Sequence, residues 1–180
     1  AIAISTDMGT QEISNTAWSF ATSMISNEPL RAALAAEAIA RISAFDAQGL
    51  SMSAWSCATC LFWHRPWLDA IASQARPRLS AFDTQYIAIT AWAFSNLTVF
   101  NATLLDAIAA ESIRRISECG PQSLANLALS CARWKYFNEP LLAAISSAAI
   151  ARISECLPLN LSNFAWSFAV LAYHDPKFIE

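Results

Sequence analysis

Glycine and lysine are both scarce, with three Gly and two Lys (Lys135 and Lys177) among 180 residues. Three glycines cannot build a phosphate cradle, and no G-x-S-x-G, H-E-x-x-H, P-loop or dinucleotide pattern occurs. A chain with so few lysines and a formal net charge of −3 is not one that grips polyanions by bulk electrostatics. Five cysteines are an odd number at wide spacing, which argues against a disulfide framework and for a reducing compartment. Charged residues make up only 14% of the chain, and residues 84–105 and 157–174 carry none. These stretches are too often interrupted by Gln, Ser, Asn and Thr to read as membrane spans, and the repeating helix of about fifteen residues falls short of the roughly twenty needed.

What is abundant is alanine, with 36 residues, in a chain that is 56% hydrophobic. That is the composition of close-packed helices, and its cause is a repeat of 37 residues. Trp18, Trp55, Trp92 and Trp166 lie at multiples of 37, with Leu129 in the remaining place. Ala17, Ala54, Ala91, Ala128 and Ala165 precede them without exception. Arg41, Arg78, Arg115 and Arg152 recur later in the unit, and Gln11, Gln48, Gln85 and Gln122 open it. Residues 11–158 thus form four complete repeats. Residues 1–10 read as the end of a preceding one, since Ala1-Ile2-Ala3 matches Ala38-Ile39-Ala40, and 159–180 as the start of a fifth. On this reading the chain is a piece of a longer one.

Each unit reads as two helices. Ile13, Ala17, Phe20 and Met24 recur at helical spacing in the first, and Leu30, Leu34, Ala38, Ile42 and Phe45 in the second. Breaks such as Asn27-Glu28-Pro29 and Asn138-Glu139-Pro140 separate them, with Pro suited to the first turn of the second helix. A lone hairpin cannot bury its apolar face, whereas a stack of hairpins can. The expected fold is all-α, an α-solenoid of stacked two-helix hairpins, with the periodic Trp as wedges between repeats. Pro77 lies inside a second helix and is expected to kink or break it.

Metal and redox chemistry find little support. Cys57 and Cys60 form a single C-x-x-C, but the equivalent places in other units hold Phe20, Phe94, Cys131 and Phe168, and Ser23, Leu97, Trp134 and Leu171, so cysteine is a small packing residue there. His64 and His174 occupy different repeat positions, and Asp46 and Asp83 recur as turn residues. No cofactor, metal or small-molecule substrate is indicated, and an enzyme is not expected.

Two recurring surfaces remain. The Arg column, Arg41, Arg78, Arg115 and Arg152, would form a ladder of guanidinium groups suited to a phosphate backbone or an acidic partner. The same groups could serve the helices, because Glu37 and Glu111 stand four residues before Arg41 and Arg115. The second surface is the outer stripe of the first helix, with Asn15, Ser19 and Thr22 in one unit and Asn126, Ser130 and Arg133 or Asn163, Ser167 and Val170 in others. Only Arg133 in it is charged. A stripe so poor in charge is either the tightly lined inner wall of the array or a binding face whose amides reach base edges.

The 37-residue spacing, the Ala17-Trp18-Ser19-Phe20, Ala91-Trp92-Ala93-Phe94 and Ala165-Trp166-Ser167-Phe168 segments, and Arg41-Ile42-Ser43 with Arg152-Ile153-Ser154 resemble the heptatricopeptide and octotricopeptide repeat proteins of protist and algal organelles. The resemblance implies an α-solenoid in a mitochondrion or plastid, associated with single-stranded or fragmented ribosomal RNA or built into a large assembly beside other protein subunits. It would place Asn15, Asn126 and Asn163 against RNA, with the column Arg as phosphate contacts. The alternative is a protein scaffold without direct RNA contact.

Overall fold

The computed structural model describes residues 8–24 and 27–175. The Ala1-Ile2-Ala3 match and Lys177 lie outside the described residues. Within them the chain is all-helical, with α1 Thr10–Thr22, α2 Glu28–Ala40, α3 Ala47–Thr59, α4 Arg65–Ala75, α5 Thr84–Asn96, α6 Ala102–Arg114, α7 Pro121–Trp134, α8 Glu139–Ala151 and α9 Pro158–Val170. Odd-numbered helices pack in sequence, α1 on α3, α3 on α5, α5 on α7 and α7 on α9, and the even-numbered helices form a second row beside them. The invariant alanines explain how closely the first row packs. Ala54, Ala91 and Ala128 are buried, and with no side chain beyond Cβ they let neighbouring helices approach.

Each pair is assembled by local devices that the sequence supplies. Asn27, Asn101 and Asn138 cap the second helices by accepting from the backbone N–H of Leu30, Leu104 and Leu141 at 3.0–3.1 Å. His64 takes that place in the second pair, its Nδ1 accepting from Trp67 N at 3.2 Å. Asp46 and Asp83 cap α3 and α5. They are helix caps more than turn residues. After α2, α4 and α6 a short 3-10 turn leads to Phe45, Phe82 and Cys119, all buried, and after α8 to the half-buried Cys156. The chain there drives a wedge into the core at Phe45, Phe82 and Cys119, and burying a Phe contributes about 1.5–3 kcal/mol.

The first helices end in an unexpected way. Met24, Leu61, Thr98, Lys135 and Ala172 all have φ of 50–55°, in the left-handed region that glycine usually fills. From Leu61 onward each sits in a Schellman motif. The N–H of Phe62, Val99, Tyr136 and Tyr173 reaches back to the carbonyl of Cys57, Phe94, Cys131 and Phe168 at 2.8–3.0 Å. Met24 was expected in the apolar stripe, and Leu61 holds the same place one unit on. Both instead lie exposed beyond the helix end, because the chain reverses before they can turn inward.

Pro77 acts as its chemistry requires. It has no N–H for a carbonyl four residues earlier, so α4 stops at Ala75 and residues Arg76–Ala81 continue as 3-10 helix. No helix among the described residues is long and apolar enough to cross a membrane.

Candidate functional site

The Arg column is turned inward along the stack. Nη1 of Arg78 donates to the carbonyl of Phe45 at 3.1 Å, and Nη1 of Arg115 to that of Phe82 at 2.6 Å. Arg41 reaches Met8 O at 2.7 Å and Arg152 reaches Ser117 O at 2.9 Å. Each guanidinium therefore clasps the turn of the preceding unit, the same turn whose Phe45 or Phe82 ring is wedged in the core. The expected pairs with Glu37 and Glu111 are present, and Glu118 adds a 2.6 Å contact to Arg115 Nη2. Such pairs at a half-open surface contribute little alone, whereas a charged donor on a carbonyl contributes about 1.5–3 kcal/mol. Helical spacing reveals the first kind of partner and is silent about the second.

The exposed strip of the first helices contains more than the amides. Asn15 is exposed and Asn126 and Asn163 are half-buried in it. Arg133 is exposed and its Nη1 donates to Asn96 Oδ1 in the neighbouring helix, while Asn96 Nδ2 donates to Ala58 O at 3.2 Å. A chain of polar contacts thus runs across three units and fixes the direction of Arg133. Buried hydroxyls add a second line, Thr90 to Ser51 at 3.2 Å and Ser95 to Ser130 at 3.4 Å.

The periodic Trp do not form the core. Trp18 and Trp166, on the end helices α1 and α9 of the first row, are 43% and 48% exposed, and in the interior Trp55 and Trp92 are half-buried, with Trp92 packed against the core. The fully buried indole is Trp67, outside the period, on α4. The reason is angular. Trp18 stands three residues after Asn15, so on a 3.6-residue helix it lies about 60° from it, on the flank of the same strip. Ser56, Ser130 and Ser167 are buried instead, so this side of the expected stripe is the part that meets neighbouring helices. Sequence reasoning missed the Trp as strip residues. The angle was readable, but not which directions the neighbouring helices cover.

The cysteines are packing residues by environment. Cys57, Cys119 and Cys131 are buried, and burial raises all three thiols above their ordinary value, Cys131 to about 12. A thiol so disfavoured as thiolate is a poor nucleophile and a poor ligand. No cluster of His, Cys, Asp or Glu that could hold a metal ion occurs among the described residues.

Paired helices in two rows, clasped from unit to unit, with an exposed strip of amides and indoles carrying one cation, define an all-α protein whose surface is organised for contact along its length. Residues 71–180 match the model of the RESC6 family, described as RNA-editing substrate-binding complex 6 protein. The match spans more than half of the chain, and the chain belongs to that family. Comparison with curated proteins found no match.

Proposed function

We propose that the chain is a non-catalytic, RNA-associated subunit of an RNA-editing substrate-binding complex, and the family match over residues 71–180 carries this reading. Its architecture is an α-solenoid of 37-residue hairpins, with four complete repeats over 11–158, the end of a preceding repeat in 1–10 and the start of a fifth in 159–180. Its setting is a mitochondrion; a plastid has no support from a family of RNA-editing complex proteins.

RNA contact falls on the strip of the first helices. Asn15, Asn126 and Asn163 offer amides to base edges, and Arg133, held in direction by Asn96, offers a phosphate contact. Among the described first helices Glu12 is the only carboxylate, so little repels a phosphate there. Arg41, Arg78, Arg115 and Arg152 serve the stack first and the ligand second, since each already spends donors on the preceding unit.

Fluorescence anisotropy with a single-stranded RNA probe tests this. Binding at low salt that weakens shallowly as salt rises, and weakens further in Asn126→Ala/Arg133→Ala, is the expected result, because few phosphates are neutralised. Absence of affinity even at low salt refutes direct RNA contact. That outcome would favour a second reading, a protein scaffold within the complex, which the net charge of −3 supports.

A further inference from the structure

The column Arg and the alanines that precede the periodic Trp each have a use inside the stack, but another recurring residue has none. Gln11, Gln48, Gln85 and Gln122 stand at 37-residue spacing, each at the second position of its first helix, and Leu159 takes the place in α9. All four are exposed, and among the described residues none of their side-chain amides bonds within the chain. Helix formation does not call for them. The first turn favours a carboxylate over an uncharged amide, and in α3 and α5 the capping is done by Asp46 and Asp83. Ser43, Ser80, Ser117 and Ser154 also recur exposed, but they sit in 3-10 turns, where serine is common. An amide kept in four units at an exposed place, with no partner inside the chain, calls for a partner outside it.

Its place along the helix says which. Asn15, Trp18 and Thr22 follow Gln11 by four, seven and eleven residues, and on a 3.6-residue helix all four side chains fall within about 60°. The same line in α7 runs Gln122, Asn126, Leu129 and Arg133. The Gln column is therefore the N-terminal end of the strip assigned to RNA. A polar cleft between the starts of α1 and α3 is lined by Gln11, Ser14, Asn15, Asp46 and Gln48, so a group entering it meets amides of two successive units. Gln48 also borders the next cleft, with Arg78 and Tyr86.

Glu12, Asp46 and Asp83 stand at this end of the first helices, and the guanidiniums nearest to them, those of the column, are held on the carbonyls of preceding turns. A phosphate has little to gain here, and the strip's one cation, Arg133, lies eleven residues and about 16.5 Å beyond Gln122. An amide carries no charge and offers a donor and an acceptor side by side, which matches the edge of an unpaired base. We infer that the Gln column reads base edges of single-stranded RNA, one base to each cleft between neighbouring first helices. Asn15, Met52, Ile89 and Asn126, four residues after each Gln, are the part that varies from cleft to cleft. Two or three side chains per base is how helical repeats read RNA. This rests on the RNA contact proposed above for the same strip.

The test measures fluorescence anisotropy of two probes on the full-length chain, a short single-stranded RNA and the same sugar-phosphate backbone without bases. Gln48→Ala/Gln85→Ala/Gln122→Ala puts a good helix former at three exposed sites, so the melting temperature should not fall. Affinity of this variant for the complete RNA should fall at least tenfold, while affinity for the abasic probe stays within twofold of wild type. Equal losses on both probes would put the amides on the backbone, and no loss on either would make them idle surface; each result overturns the base reading. Asn126→Ala/Arg133→Ala is measured alongside. If it weakens binding and the Gln variant does not, RNA contact by the strip stands and only the base reading falls. A wild-type chain that binds neither probe at low salt removes both.

Discussion

Removal of the Arg115 side chain separates the two roles open to the column. Arg115→Ala deletes the 2.6 Å bond to the Phe82 carbonyl, the 2.6 Å contact to Glu118 and the longer 3.7 Å pairing with Glu111. The side chain is 17% exposed, so the carbonyl bond is the dominant loss, about 1.5–3 kcal/mol for a charged donor. The ion pairs add at most about 1 kcal/mol. A total near 2–3 kcal/mol in a chain of this size lowers the melting temperature by roughly 5–10 °C. Far-UV circular dichroism on heating measures it. The neighbouring Arg114, which is 61% exposed and pairs with Glu111, is the control, and Arg114→Ala, which loses only an exposed pair, should lower the midpoint much less than Arg115→Ala does. Arg115→Lys should fall between, because an ammonium cannot hold carbonyl and carboxylate in one plane. RNA-probe affinity, measured well below the transition, should stay within twofold of wild type in Arg115→Ala. A midpoint within 1 °C of wild type together with a tenfold loss of affinity would refute the clasp and make the column a ligand ladder.

Three further outcomes are expected. Thr98→Gly should stabilise the protein by about 1 kcal/mol, read as a higher urea midpoint, because a β-branched residue is held at φ 55° there. His64→Ala should cost about 1 kcal/mol and His64→Asn should cost nothing, since Asn performs the same capping at 27, 101 and 138. The Arg114 guanidinium, with Arg115 beside it, holds the Glu111 carboxyl below its ordinary range. A carboxyl so lowered stabilises the fold fully above its unfolded pKa, about 4.3, and loses that contribution as pH falls through the lower folded value. The stability gap between wild type and Glu111→Gln should therefore be present at pH 7 and close in stronger acid; a gap independent of pH would refute it.

The helix pairs were legible because a 37-residue period fixes the unit and Asn-Glu-Pro marks the start of second helices, whereas Asp46 and Asp83, read as turn residues, cap the first helices. The break at Pro77 followed from proline's missing N–H. The ends of the first helices were not legible, since their left-handed residues are Met, Leu, Thr, Lys and Ala, and the usual glycine signal is missing. The clasp was hidden for a different reason. Its acceptor is a backbone carbonyl 33 residues earlier in three of the four cases, and a carbonyl carries no residue identity to read.

The clasp also has a direction. Every guanidinium in the column reaches toward the N-terminus, so each hairpin is completed by the one made after it and waits on nothing made later than that. During synthesis a newly emerged unit needs only about one repeat more of chain before its turn is pinned. The stack can thus be locked in the order in which it is translated, with one unfinished hairpin at a time near the ribosome instead of a long collapsed precursor.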